Sequence, residues 1–172
     1  TFHKNAAHIY RVRCDDYQNG RLVAANAKNY MSVGKVMAQD YSEVVNYVTI
    51  LRKKQAMLAY QKGNKRFNDK EFYFVADNFF DFFSFNLLQG NPKKVLQAPK
   101  SIVLTEKMAT KYFGNENAIG KTLELNGKEN FTVTGIVQNP PVNSHLQFNF
   151  LLSIHDVLKE YKEKKREWFW TN

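Results

Sequence analysis

The chain has 172 residues, 44% apolar and 15% aromatic, enough for one compact domain or two small lobes and too apolar for a disordered segment. No apolar run approaches the ~18 residues that cross a bilayer as a helix, and the single cysteine, Cys14, excludes an internal disulfide and any C-x-x-C site. The net charge of +9 is uneven: residues 1–70 carry 13 basic and 5 acidic side chains, residues 71–172 carry 12 and 11. Such a surface attracts anionic lipid, nucleic acid or an acidic protein, or is simply solvated.

In chain order, residues 1–8 read as the end of a helix, and the absence of an initiator methionine implies an upstream segment. Ile9, Tyr10, Val12 and Cys14 alternate as a short strand. Ser32 is placed to cap a helix over 33–41, and the β-branched run from Val44 to Leu51 reads as a buried strand, giving a β-α-β unit. Residues 56–61 and 72–76 are expected to be extended, joined by a basic exposed tip over 62–70. Asp77 then caps a short helix rich in phenylalanine. Phe79, Phe80, Phe82 and Phe83 on its broad side are read first as core, and alternatively as a docking patch for a partner.

Residues 87–92 have turn composition, Ser101–Leu104 is a strand, and Thr105 to Gly114 punctuate a helix. The segments 121–125 and 131–137 form a hairpin about Asn126-Gly127. A two-residue loop would scatter the apolar side chains over both faces. A three-residue loop, Asn126 to Lys128, sets Leu123 opposite Phe131 and unites them with Leu125 and Val133, and is the expected one. Pro140 and Pro141 stop the strand, Leu146 to Leu152 alternate as another, and a Ser153/Asp156 capping box opens a lysine-rich helix through about Glu167. Near the end of the chain stands Trp168-Phe169-Trp170, in which Trp168 and Trp170 are candidates for a partner surface, an interfacial belt, a nucleic-acid stacking platform or core.

Catalytic signatures are missing. The sequence contains no phosphate-binding G-x-x-x-x-G-K-[ST] loop, no G-x-G-x-x-G, no G-x-S-x-G elbow and no H-E-x-x-H. His3, His8, His145 and His155 stand in no metal-ligand spacing, and the Asn130-Phe131-Thr132 sequon falls within a strand. No catalytic residue, cofactor or metal is assigned. A basic nucleic-acid-binding module and an enzyme with an unmarked pocket are the rival readings.

Several segments in order resemble the MacB-like periplasmic core domain of FtsX/MacB-type ABC-transporter permeases, in the form common in Bacteroidetes. They are Phe2 to Val12, Ala76 to Phe83 with Leu88 to Pro92, Ser101 to Glu106, Lys111 to Gly114, Ala118 to Lys121, Phe131 to Val137 and Asn139 to His145. The resemblance implies an α+β fold in two lobes. A Porter-like lobe of β-α-β units would cover 1–88 and 146–172, incomplete after Trp170, and a smaller Sabre-like mixed insertion would cover 89–145. It further implies a non-catalytic domain on the periplasmic side of the inner membrane, in a membrane-embedded parent. Its partners would be a cytoplasmic ATPase subunit, a second permease copy, and a periplasmic adaptor or lipoprotein, with no nucleic acid.

Overall fold

Alternating apolar side chains on six strands need an enclosed space to fill, and the chain supplies it by closing a sheet on itself. The computed structural model describes residues 3–27 and 29–163. The strands are β1 (Cys14–Gln18), β2 (Arg21–Asn26), β3 (Ile50–Tyr60), β4 (Lys65–Val75), β5 (Leu87–Gln89), β6 (Ser101–Thr105), β7 (Thr122–Leu125), β8 (Glu129–Val137) and β9 (Phe150–Ser153). Among the described residues four α-helices accompany them: α1 (Val33–Asp40), α2 (Phe79–Phe82), α3 (Glu106–Phe113) and α4 (His155–Glu163).

Strands β1 and β2 form a separate two-stranded sheet. The others run in the order β5-β8-β6-β9-β4-β3-β7, and β7 also pairs with β8. The ring β8-β6-β9-β4-β3-β7 is therefore closed, a six-stranded barrel with β5 added outside on β8. Two pairings are parallel, β4 with β9 and β6 with β8, and the rest are antiparallel.

Two apolar layers follow from this closure. The first unites Leu58, Phe72, Leu104, Leu123, Phe131 and Phe150 with Met108, Tyr112 and Phe113 of α3, and Phe72 stacks on Phe150 with centroids 4.3 Å apart. The second lies against Tyr73, Val75, Val103, Val137 and Leu151 and is built from Phe79, Phe80, Phe83, Phe85, Leu96 and Phe148. Strands β6 and β9 are buried at every position, because apolar layers cover both of their faces.

The β7–β8 hairpin has the expected register. Leu123 pairs with Phe131 and Leu125 with Glu129, so the loop is Asn126-Gly127-Lys128. Asn126 and Gly127 both take positive φ, 54° and 68°, the conformation such a turn requires. Asn126 also ties the loop to β3: its side-chain oxygen accepts from the Met57 amide at 3.0 Å.

Several expectations are corrected. Residues 9–13 are not strand. The hairpin β1–β2 forms instead around Asn19-Gly20, both at positive φ. The run from Val44 to Thr49 has no neighbouring strand to pair with, and Val45 is 94% exposed, so β3 starts at Ile50. The β-α-β unit over 9–51 is consequently absent: α1 joins strands of two different sheets.

The tip between β3 and β4 is a short turn, Gln61–Gly63 with Asn64 in the left-handed region, and residues 65–70 are strand. Residues 87–89, read as turn, are β5. None of Ser32, Asp77 or Thr105 serves as a side-chain cap: the N-caps are Ser32, Asn78 and Thr105, and none makes a capping bond. The last strand is short, Phe150–Ser153, and Asp156 accepts from the Lys100 amide instead of closing a capping box. The predicted end of the last helix at Glu167 lies outside the described residues.

The α+β class holds, and one sheet runs through residues 50–153. Boundaries at 88/89 and 145/146 would cut through the barrel, since β6, β7 and β8 share it with β3, β4 and β9. The small sheet with α1, which buries none of its residues, stands apart from the ring over 50–153.

Truncating a ring-filling side chain leaves a cavity that a closed sheet cannot collapse around. Phe131→Ala is expected to lower unfolding free energy by about 3–5 kcal/mol, while Val142→Ala, at a fully exposed site, changes it by less than about 0.5 kcal/mol. Urea denaturation of both variants checks the difference. Gly90 sits at φ +105°, and an added Cβ would lie 2.6 Å from Val95 Cγ1 and 2.7 Å from the Thr134 carbonyl oxygen. Gly90→Ala is therefore expected to destabilise by about 1–3 kcal/mol, read from the same transition.

Candidate functional surfaces

A catalytic centre needs titratable groups that converge on open space, so the buried polar groups decide what this fold can do. The most enclosed cluster sits inside the barrel. Asp69, 9% exposed, accepts from the Tyr112 hydroxyl at 2.5 Å and from the Lys111 ammonium at 2.5 Å. The Tyr112 hydroxyl also lies 3.3 Å from the Leu58 carbonyl oxygen, and Lys111 stands over the Phe67 ring at 4.2 Å. Burial and then the Asp69 carboxylate raise the Tyr112 pKa well above the ordinary tyrosine range. Lys65 donates to the Tyr112 carbonyl at 2.9 Å, supplying a partner to the α3 C-terminus. Every donor and acceptor named here is bonded to protein, and the cluster ties α3 to the β3–β4 ribbon rather than presenting a reactive atom.

An open groove of about 430 Å3 lies where β3, β4 and β8 meet α4, lined by Leu51, Phe74, Phe131, Lys100, Glu129 and Asp156 among others. Three of its charges are mutually engaged. Lys100 forms an ion pair with Glu129 and lies 3.6 Å from Asp156. Burial alone would depress the Lys100 ammonium, but the two carboxylates outweigh it and hold its pKa above the ordinary lysine value. Among the described residues no three His, Cys, Asp or Glu side chains stand together as a metal site.

The histidines are dispersed. The His3 ring packs 5.2 Å from Phe83 and 5.1 Å from Phe85, and its Nδ1 accepts from the Ser84 amide at 3.1 Å. Burial, then His145, lower its pKa from 6.5. His155 is 3.9 Å from Asp77.

The sequence candidates for a partner surface separate sharply. Phe79, Phe80 and Phe83 are buried in the second layer and Phe82 packs against it, which corrects the docking-patch alternative. The reason is that the outer face of β4, β6, β8 and β9 is itself apolar and needs covering. Trp168 and Trp170 lie outside the described residues. What sequence reasoning missed is the exposed apolar surface at the N-terminal side. Among the described residues nine of eleven exposed large hydrophobics fall between Tyr10 and Tyr47, including Tyr17, Leu22 and Tyr41. The unread Asn19-Gly20 turn was the available signal for the hairpin that carries several of them.

Two outcomes test this description. Tyr112→Phe removes one partner of a buried carboxylate and is expected to cost about 1–3 kcal/mol in urea denaturation. For His3, burial and then the neighbouring His145 disfavour the protonated ring, so its folded pKa is below the unfolded 6.5. The unfolded chain binds more protons in that window, and stability falls as pH drops through about 6.5 and levels off below the folded pKa. Thermal midpoints from pH 7.5 to 5 measure this, and His3→Phe is expected to flatten the curve.

Known proteins resemble this chain in both sequence and fold. The family model of the MacB-like periplasmic core domain matches residues 2–169. The macrolide export ATP-binding/permease protein MacB of Aggregatibacter actinomycetemcomitans is 35% identical over 80 residues, 45% of this chain and 12% of that protein. The chain thus spans about one eighth of the length of that curated relative. A permease-protein domain from Porphyromonas gingivalis superposes with a TM-score of 0.66 at 20% identity, over 76% of this chain and 60% of that one. The periplasmic region of MacB from Actinobacillus actinomycetemcomitans gives 0.50 at 23% identity, over 82% and 77%. The extracellular domain of the noncanonical ABC-type transporter YknZ from Gram-positive bacteria gives 0.56 at 14%, over 78% and 67%. These likenesses support the fold, nothing in them favours nucleic-acid binding, and the model spanning nearly the whole sequence settles membership: the chain belongs to the MacB-like periplasmic core domain family.

Proposed function

We propose that this domain is a non-catalytic transmitter of force. Motion driven by ATP hydrolysis in a cytoplasmic ATPase subunit reaches it through the membrane-embedded permease, and the domain passes that motion to periplasmic partners or substrates. A second permease copy faces it, and an adaptor or lipoprotein is the further partner class. The observation that carries this reading is the sealed interior. Stacked rings fill the barrel, and its buried carboxylate, Asp69, is consumed by structural bonds to Tyr112 and Lys111.

A body closed by hydrogen bonds around its whole circumference moves as a unit, because no free edge lets one strand slide without its neighbours. The apolar side chains exposed from Tyr10 to Tyr47 supply a surface for contact with other parts of the assembly. Family membership supports the reading, since the relative named above is an ATP-binding/permease protein.

The test uses the full permease with its ATPase. In a Cys14→Ser background, Val142→Cys places a spin label on a fully exposed site of the domain. The distance between labels on two copies is expected to shift by several ångströms between nucleotide-free and ATP-bound states. An unchanged distance, or ATP turnover by the purified domain itself, would contradict force transmission.

A further inference from the structure

The positive charge of the chain has a definite address. The β3–β4 ribbon, residues 50–75, carries seven basic side chains and two acidic ones, a net of +5 out of +9. Both acids are taken. Glu71 is held by Arg52 at 2.7 Å and Asp69 by Lys111 at 2.5 Å. Lys65 is turned to the α3 C-terminus. Lys54, Lys62, Arg66 and Lys70 are exposed, and none takes part in an ion pair among the described residues.

Strand alternation gathers part of this charge into a row. Phe67 and Asp69 point inward, so Arg66, Asn68 and Lys70 point outward, opposite Ala59, Met57 and Gln55 of β3. No exposed large hydrophobic side chain lies anywhere on the ribbon. Protein interfaces are held by buried aromatic and apolar anchors, and this face offers none. Neither other part of the chain is net acidic: residues 1–49 carry 6 basic and 4 acidic side chains, residues 76–172 carry 12 and 10.

What a cationic face without anchors does bind is a charged surface at which each Lys or Arg contributes independently. We propose that the outer face of the β3–β4 ribbon is an electrostatic docking surface for anionic lipid headgroups of the membrane beside the domain. The proposal rests on the family placement, which sets a membrane nearby, and is independent of force transmission.

The test is co-sedimentation of the 172-residue chain with vesicles of phosphatidylcholine containing phosphatidylglycerol, and of phosphatidylcholine alone. Binding is expected only to the anionic vesicles, and to weaken steeply as salt shortens the Debye length from about 14 Å at 50 mM to about 6 Å at 300 mM. At roughly fivefold per cation, the triple variant Lys62→Glu, Arg66→Glu and Lys70→Glu is expected to lose affinity by about a hundredfold or more. A control reversing Arg21, Lys94 and Lys107, which removes the same net charge elsewhere, is expected to lose far less. Because these side chains are exposed, thermal midpoints should stay near the parent's, and the glutamine triple at the ribbon positions serves if charge reversal disturbs folding, with an intermediate loss. Absence of binding to anionic vesicles, equal losses in the two triple variants, or tighter capture by soluble polyglutamate than by vesicles would each overturn the proposal.

Discussion

Closure of the ring by β7 is the constraint on which the other features depend. That strand is only Thr122–Leu125, yet it bridges β3 and β8, with Leu125 opposite both Leu58 and Glu129. Its inward side chains, Leu123 and Leu125, are fully buried. Without the bridge, β3 and residues 129–132 of β8 would be free edges and the first apolar layer would open to water at the seam. The three-residue loop that follows β7 is part of the same device. It sets the register that puts both leucines inward, and Asn126 pins the loop to Met57 through backbone and side chain.

Closure also explains why polar residues sit on inward positions. Strand β4 directs Lys65 and Asp69 to the interior, where an isolated charge would carry a large desolvation cost. Helix α3 resolves this by bringing Tyr112 and Lys111 to Asp69 and its own C-terminal carbonyls to Lys65. The Lys111-Tyr112-Phe113-Gly114 segment thus serves one purpose in three parts: a cation and a hydroxyl for the carboxylate, a ring that meets Tyr60 at 4.8 Å, and a glycine at φ +63° that ends the helix. The polar groups of this interior are spent on structure.

The legibility of the sequence followed local completeness. Helix α3, strand β6 and the β7–β8 hairpin were readable because their caps, periodicity and turn residues lie within a few positions of one another. Strand β4 was not, because Lys65 and Asp69 break the apolar alternation and their compensation comes from α3, some forty residues on. The run from Val44 to Thr49 misled in the other direction: its β-propensity is strong, but a strand needs a partner, and none is adjacent. The long-range pairings were hidden for a similar reason, since β7 and β9 insert beside strands distant in sequence. The phenylalanine cluster was read correctly as core, yet only the tertiary arrangement shows that it coats the outside of the barrel instead of filling it.

Amide hydrogen exchange resolved by residue tests the closed, rigid ring most directly. The account predicts that amides of β3, β7 and β8 are protected together and open in a single cooperative event, while those of residues 10–48 exchange much faster. Rapid exchange across Thr122–Leu125, independent of the flanking strands, would contradict it.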